Sequence, residues 1–432
     1  MNNRIGNRIG RIGTQRQGHS LASWIVIARL MIAFSSAIAI GALLTTPALA
    51  WNETILYSFA GPPDGWDPGY NLIQDAAGNL YGITGWGGVF GWGTVFELSL
   101  QNGVWVETIL HSFGGNGDGG QPGGSLVMDK AGNLYGTAHG VVYELTPDGQ
   151  GNWAETILKA FKYPGTPFGG LALDGTGRLY GVASPGLHSF GLVYRLSPPA
   201  RKGRPWKYFV LYSFKGHRHN DGENPNGNLV FDAAGNLYGT TWSGGSYDWG
   251  TVFELSPGAK TWTEKVLYSF QGKSDGALPN PGLVFDAEGN LYGTTNAGGN
   301  GKGGTVFELS PNGGNWTEAL LYSFTGLSDG DGPAAPLTFH NGSLYGTTES
   351  GGDRPQSNGD GVVFELTPSE GGWTEQVLHT FTSSPDGATP YGGVVFDSSG
   401  NLYGTTSFGG ILNSNCFYAG DPGCGVVYEI SP

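Results

Sequence analysis

Residues 282–309 read GLVFDAEGNLYGTTNAGGNGKGGTVFEL, and WTEALLYSF follows at 316–324. The stretch contains four short runs rich in β-branched and aromatic residues, at 282–286, 290–295, 304–309 and 316–324. Gly, Pro, Asn or Asp bounds each run, and no run has a helical period, so the pattern predicts four short β-strands. The Asp-x-x-Gly turn at 286–289 is interpreted as the hairpin that joins the first two strands.

The tetrapeptide Asn-Leu-Tyr-Gly marks a tandem repeat of this four-stranded unit. It or a close variant begins at seven positions: Asn79, Asn133, Arg178, Asn236, Asn290, Ser343 and Asn401. Seven copies of four short strands predict an all-β fold, a seven-bladed β-propeller of four-stranded antiparallel blades. The third copy is the shortest, and the sequence alone leaves open whether it forms a full blade.

The two ends of residues 51–432 predict how the ring closes. Residues 51–59 resemble a fourth strand, whereas residues 425–430 resemble a third strand. We therefore expect the N-terminal strand to join the last blade, which would protect an edge that an open array leaves exposed.

The first fifty residues are typical of a secretory signal peptide. They contain five arginines and no acid, then an apolar run from Met31 to Leu44, then Ala48 and Ala50 before Trp51. The run is short for a spanning helix, which needs about 20 apolar residues, although a retained anchor stays an alternative. We expect a protein that is secreted, periplasmic or on the cell surface, with no membrane span after signal cleavage.

The charge excludes one class of partner. The chain has 21 basic and 35 acidic residues, and its net charge is −14. Nucleic-acid binding depends on Lys and Arg at phosphates, so no nucleic-acid partner is expected. Cys416 and Cys424, the two cysteines, lie in one loop and are expected to form a disulfide outside the cytoplasm.

The repeat unit resembles the bacterial GloVer repeat of Gloeobacter and Verrucomicrobium-type proteins. The motifs that carry the resemblance are GLVFDxxGNLYGTT, then Gly-Gly, then GTVFELSP, and they extend over essentially all of residues 51–432. The resemblance implies an exported protein and supplies no reaction and no catalytic residue. A looser likeness to kelch propellers concerns the architecture alone.

Variable loops are predicted on one face, formed by the second-to-third-strand loops and the blade-to-blade connections. Tryptophans outside the fourth strands fall in these loops, where a flat ring suits stacking on a sugar; packing within the loops is the alternative. The predicted ligand-binding residues are Trp66, Trp86, Trp92, Trp242, Tyr247 and Trp249.

An Asp-Gly pair follows the fourth strand in six of the seven repeats. These aspartates would surround the channel mouth and hold calcium, or serve as turn residues without a metal. They are Asp64, Asp118, Asp221, Asp275, Asp329 and Asp386.

The function predicted first is that of a monomeric binding module whose ligand, a glycan or a protein, occupies the variable loop face. No catalytic motif is recognisable, and no cofactor is expected to be required, calcium aside. Two alternatives stay open: a polysaccharide-active enzyme, either glycosidase or lyase, and a structural protein of the cell surface.

Overall fold

The computed structural model describes residues 51–432 except 116, 163–165, 184–188, 202, 353–358, 413–415 and 419–420. The predicted signal peptide, residues 1–50, lies outside the described residues. Residues 51–432 form one compact unit. Within the described part of the chain, no helix is long and apolar enough to cross a membrane.

The chain forms seven antiparallel sheets, which we number as blades 1 to 7 in chain order. In each blade the strand order from the centre outwards is inner, second, third and outer, as the repeat predicts. The third repeat forms a complete four-stranded blade despite its shortness. The predicted seven-bladed propeller is confirmed.

The strand bounds follow the four runs of the repeat. The inner strands are Ile73–Gln74, Gly123–Met128, Pro167–Leu173, Gly222–Phe231, Ala277–Pro279 with Val284–Phe285, Asp331–Pro333 with Thr338–His340, and Val395–Phe396. The second strands are Leu80–Thr84, Leu134–Ala138, Leu179–Ala183, Leu237–Gly244, Leu291–Ala297, Ser343–Ser350 and Leu402–Thr406. The third strands are Thr94–Gln101, Val141–Pro147, Leu192–Ser197, Thr251–Pro257, Thr305–Asn312, Val362–Ser369 and Val426–Ser431. The outer strands are Val104–Ser112, Trp153–Ala160, Lys207–Ser213, Trp262–Ser269, Asn315–Ser323, Gly372–Thr380 and Asn52–Ser58.

A few short elements lie in the loops. They are the strand pair Gly65–Trp66 and Trp86–Gly87, the pair Phe417–Tyr418 and Asp421–Pro422, and a 3₁₀ turn at His217–His219.

The N-terminal strand closes the ring. Asn52–Ser58 pairs antiparallel with Val426–Ser431, so that Ile55 lies opposite Tyr428, and it is the outer strand of blade 7. The edge of the last blade is thereby hydrogen-bonded to the start of the propeller, as the ends of the sequence predict.

Hydrogen bonds explain the repeated Asp-x-x-Gly turn. In blade 1 the Asp75 carboxylate accepts the backbone N–H groups of Ala77 and Asn79, at 2.8 and 2.9 Å. Its second oxygen accepts the hydroxyl of Tyr81, which also donates to Glu97 on the third strand. The turn is therefore a structural hairpin in which Asp, Tyr and Glu join three neighbouring strands.

The Tyr-Gly-Thr-Thr motif joins one blade to the next. In blade 7 the hydroxyl of Thr405 donates to the carbonyl of Tyr70 in blade 1, at 2.9 Å. In blade 6 the equivalent Thr347 donates to the carbonyl of Gly392, at 3.0 Å. The second strand of one blade thus holds the start of the inner strand of the next.

The core lies between neighbouring sheets. The tryptophan that opens an outer strand packs edge-on against the Tyr of the preceding blade, as Trp316 does against Tyr238 at 6.0 Å. Third-strand rings such as Phe307 are fully buried and contact a Phe at the end of the preceding outer strand, here Phe270 at 5.1 Å. Aromatic contacts at 4.5–7 Å recur around the ring and fix the spacing of the blades.

Candidate functional site in the central cavity

The inner strands approach one another closely around the propeller axis. A Cβ atom at Gly124 in blade 2 would lie 2.1 Å from the backbone of Gly169 in blade 3. One at Gly392 in blade 7 would lie 2.7 Å from the carbonyl oxygen of Tyr70 in blade 1. Side chains do not fit between these backbones. The inner strands and the loops next to them surround a central cavity of about 680 Å³.

Two repeat positions supply about half of the cavity lining. The first is the residue directly after Tyr-Gly-Thr-Thr, and it differs from blade to blade: Trp242, Asn296, Glu349 and Ser407. The second is the residue after the proline that opens each inner-strand segment: Gly69, Gly123, Asn226, Asn280, Ala334 and Tyr391. The propeller therefore presents a varied set of side chains from equivalent backbone positions.

Some of the amides in the lining stabilise the ring. The Asn71 side-chain oxygen accepts the N–H of Gly393 at 2.7 Å, and that of Asn228 accepts the N–H of Gly170 at 2.9 Å. Asn280 is 3% exposed and donates to the Thr294 hydroxyl at 3.2 Å. These three side chains bridge or brace neighbouring inner strands and so have a structural role.

Asp67 forms an acidic corner of the cavity. It lies in the connection to blade 1 with a φ of +62°, a left-handed conformation that is uncommon for a residue with a side chain. Its N–H donates to the carbonyl of Cys424, and its carbonyl accepts the N–H of Gly85. Burial raises the pKa of Asp67 to about 6, although the neighbouring Ser407 hydroxyl lowers it in part.

A second acidic group, Glu349, lies within a hydrogen-bonded set. The Asn296 amide donates to the Glu349 carboxylate at 3.4 Å, and the Tyr391 hydroxyl is a further partner. Burial raises the pKa of Glu349 above its usual range. Burial and the Glu349 charge also raise the pKa of Tyr391 to about 12, with smaller contributions from Asp67 and Tyr70. The two carboxyl groups thus act on one phenol at the rim of the cavity.

Three of the predicted ligand-binding tryptophans form a stack in blade 1. The rings of Trp66 and Trp86 are 5.9 Å apart, and those of Trp86 and Trp92 are 6.3 Å apart, with small interplanar angles. Trp92 is 44% exposed and covers the glycine backbone at Gly115 and Gly120. Trp66 also packs against the buried cluster that contains Phe59, and Trp92 packs on the connection to blade 2.

The other three predicted residues lie in blade 4 and separate into two places. Trp242 lines the central cavity. Tyr247 and Trp249 are 55% and 44% exposed, and Trp249 lies over the backbone of Gly272. The six residues do not form one continuous surface, and Trp242 is the member that faces the cavity.

The six Asp-Gly aspartates lie between neighbouring outer strands, so the expectation that they surround the channel mouth is not met. Asp275 shows the arrangement: its carboxylate accepts the N–H of Gln271 at 2.8 Å and the hydroxyl of Tyr268 at 3.0 Å. A glutamate of the next outer strand, here Glu318, faces the same space; burial, with a smaller contribution from the Asp275 charge, raises its pKa to about 7. The aspartates therefore cap their own connections, and calcium binding stays a prediction.

The predicted disulfide between Cys416 and Cys424 is present. Both cysteines are fully buried and pack in one cluster with Phe59 and Val427, against the closing strands of blade 7. The bond fastens the last second-to-third-strand loop beside Asp67, whose N–H is held by the carbonyl of Cys424.

Sequence reasoning missed Asp67, Asn296, Glu349 and Tyr391. Asn296 and Glu349 could have been found from the sequence. Both occupy the position directly after the regular Tyr-Gly-Thr-Thr motif, and the residue at this position varies between repeats. Such a position lies at the end of a strand near the propeller axis. Its residue can vary because it does not pack in the core, whereas the neighbouring core positions keep the same residue in each repeat.

Comparison with known families supports the repeat assignment. Matches to the Gloeobacter/Verrucomicrobia repeat cover residues 41–217 and 186–418, which together span most of the chain. The chain belongs to this repeat family. No curated protein sequence matches it.

Solved structures share the propeller fold at low identity. Virginiamycin B lyase from Staphylococcus aureus is 12% identical with a TM-score of 0.52, over 88% of this chain and 99% of that one. The extracellular domain of a hybrid two-component system from B. thetaiotaomicron is 13% identical with a TM-score of 0.51, over 89% of this chain and 41% of that one. At such identities the likeness concerns the fold alone.

Proposed function

We propose that this member of the repeat family is an extracytoplasmic binding propeller that takes a saccharide in its central cavity. One observation carries the proposal: the cavity lining combines aromatic rings with amide and carboxyl groups at positions that vary between blades. Trp242 and Tyr391 offer flat apolar surfaces, whereas Asn296 and Glu349 offer hydrogen-bonding groups for hydroxyls. A volume of about 680 Å³ is within the range of small-ligand sites.

The charge of the lining supports a neutral or amine-bearing saccharide over an acidic one. Asp67 and Glu349 line the cavity, and among the described lining residues there is no Lys, Arg or His. An anionic sugar would therefore meet two carboxyl groups and no counter-charge.

The cellular location is part of the same proposal. A buried disulfide persists in oxidising compartments, and the first fifty residues are typical of a secretory signal. Together these features support an exported protein that meets glycans outside the cytoplasm.

A glycan array tests the proposal. The purified protein is expected to select a small set of neutral or amine-bearing glycans and to ignore uronate-rich or sulfated ones. A blank array contradicts the proposal and favours a protein partner or a structural role. Retention of acidic glycans alone contradicts the argument from the lining.

The two carboxyl groups favour a second candidate, an enzyme that cleaves the bound polysaccharide. Carboxyl groups with raised pKa values are suited to general acid–base chemistry at neutral pH, and Asp67 and Glu349 both have them. Array-selected glycans incubated with the protein would then give new reducing ends or unsaturated products. Asp67→Asn should abolish such products but leave binding in place, whereas glycans that stay intact indicate binding alone.

A further inference from the structure

The boundary between blades 1 and 2 contains three ligand-type atoms that face one another. His111 lies on the outer strand of blade 1, Asp118 in the connection, and Glu155 on the outer strand of blade 2. The His111 Nε2 atom is 3.7 Å from a Glu155 oxygen and 3.9 Å from an Asp118 oxygen. One ligand atom from each of the three side chains lies within 4.8 Å of the others.

One polar atom of each side chain lacks a hydrogen bond although it is shielded from solvent. His111 Nε2, Asp118 Oδ1 and Glu155 Oε1 are buried atoms with no hydrogen-bond partner, whereas Asp118 Oδ2, the oxygen 3.9 Å from His111, accepts the N–H of Gly114 at 2.7 Å. Distances of 3.7 and 3.9 Å are too long for hydrogen bonds between the side chains themselves. A buried imidazole nitrogen that faces two carboxyl groups without a hydrogen bond requires an explanation, and a bound ion or water is the usual one.

The equivalent boundaries of other blades show what is special here. In four of them a tyrosine replaces His111 and donates to the aspartate, as Tyr268 does to Asp275 at 3.0 Å. At the blade 7 boundary, His379 contacts Asp386 at 3.3 Å, but both oxygens of Asp386 also accept hydrogen bonds from Thr382. Only between blades 1 and 2, among these described boundaries, is a histidine Nε2 atom buried without a hydrogen-bond partner.

We propose that His111, Asp118 and Glu155 bind one divalent transition-metal ion of the Zn²⁺ class between blades 1 and 2. One nitrogen and two carboxylate oxygens form a mixed donor set that zinc accepts, with a fourth position left for water. An ion bound at about 2.0–2.2 Å can join ligand atoms up to about 4.2 Å apart, so the observed separations need only small rotations. Phe113 packs edge-on against the His111 ring at 4.7 Å and holds its plane.

Titration calorimetry with ZnSO₄ on the EDTA-treated full-length protein tests the site. The expected result is one saturable zinc site per chain and a melting temperature that rises with zinc. Calcium is expected to bind far more weakly there, because it takes six or more oxygen ligands. Absence of saturable zinc binding overturns the proposal.

Matched variants locate the ion. His111→Tyr introduces the side chain that Tyr268 has at the equivalent position of blade 4, so the melting temperature without metal should not change. Zinc binding by this variant should be more than about tenfold weaker. Glu155→Gln should weaken it similarly, and His379→Tyr should leave it unchanged. Equal zinc affinity in wild type and His111→Tyr assigns the ion to another place and overturns the proposal.

Discussion

At the scale of single residues, the close packing of inner strands depends on glycine. Gly227 has a φ of +81°, and a Cβ atom there would lie 1.9 Å from the Pro281 Cβ atom of the next blade. Gly227→Ala should therefore lower the free energy of unfolding by about 3 kcal/mol or more, through backbone strain plus overlap. Chemical denaturation measures the change.

Gly235 is the matched control for this substitution. It has a φ of +85° in a hairpin turn, but nothing lies within 4 Å of its Cβ position. Gly235→Ala should cost about 1–2 kcal/mol, from backbone strain alone. Equal losses in the two variants would show that the inner strands are not packed backbone to backbone.

Residue roles were predictable where the repeat itself encodes them. The fourth-strand tryptophans pack between blades, as Trp105 does against Tyr403 at 6.3 Å, and the Asp-x-x-Gly turns are hairpins. Asp67 was not predictable, because its place in the cavity depends on a left-handed backbone and on contacts with the blade 7 loop. Such long-range contacts leave no local pattern in the sequence.

At the scale of elements, the N-terminal strand is the closure of the ring. Without residues 51–59, the third strand Val426–Ser431 would become an edge, and its buried Val427 and Tyr428 would meet solvent. A chain that begins at Pro62 should melt at a lower temperature and self-associate through that edge. Size-exclusion chromatography and thermal melting measure both effects.

A chain that begins at Trp51 is the control, and we expect it to be a folded monomer. If the shorter chain were equally stable and monomeric, pairing of this strand with the last blade would not contribute to the stability of the propeller. The strand's role was predictable from the sequence because the two ends carry different parts of one repeat. Two elements were not predicted: the Gly65–Trp66 strand, and the stacking of Trp66 on Trp86 that its pairing brings about.

At the scale of the whole molecule, six outer-strand glutamates couple stability to pH. Burial, with the charge of a nearby aspartate, raises the pKa of each to about 7: Glu53, Glu107, Glu155, Glu264, Glu318 and Glu375. A raised pKa means that the folded state holds more protons than the unfolded state between about pH 4.5 and 7. Stability should therefore fall as the pH rises through this window and level off above it.

Glu318→Gln imitates the protonated form and should raise the melting temperature at pH 8 while changing it little at pH 5. Glu288→Gln, at an exposed turn, should have no such effect. A melting temperature that rises from pH 5 to pH 8 would contradict the prediction. Below this window the sign reverses, because hydrogen bonds lower the pKa values of turn aspartates such as Asp286 and Asp397 despite their partial burial.

The seven-bladed architecture was predictable because every blade repeats the same four runs and turns. For the candidate site, the sequence predicted the loop face but not the central cavity. Which side chains meet in that cavity depends on how the seven blades close around the propeller axis. Trp242 was among the predicted residues because it is a tryptophan outside the fourth strands, in a predicted loop. In the structure Trp242 lines the cavity, whereas Trp249, seven residues later in the chain, does not.

Calorimetric binding of an array-selected glycan to Trp242→Ala and Trp249→Ala shows whether the ligand occupies the central cavity. Trp242 lines the cavity and Trp249 does not, and both belong to blade 4. We expect at least about a tenfold loss of affinity for Trp242→Ala, about 1.4 kcal/mol, and a change within about twofold for Trp249→Ala. Trp242→Phe keeps an aromatic ring and should lose less affinity. It is the control that separates loss of the ring from misfolding of the protein. Undiminished binding by Trp242→Ala, or loss confined to Trp249→Ala, would contradict a ligand in the central cavity.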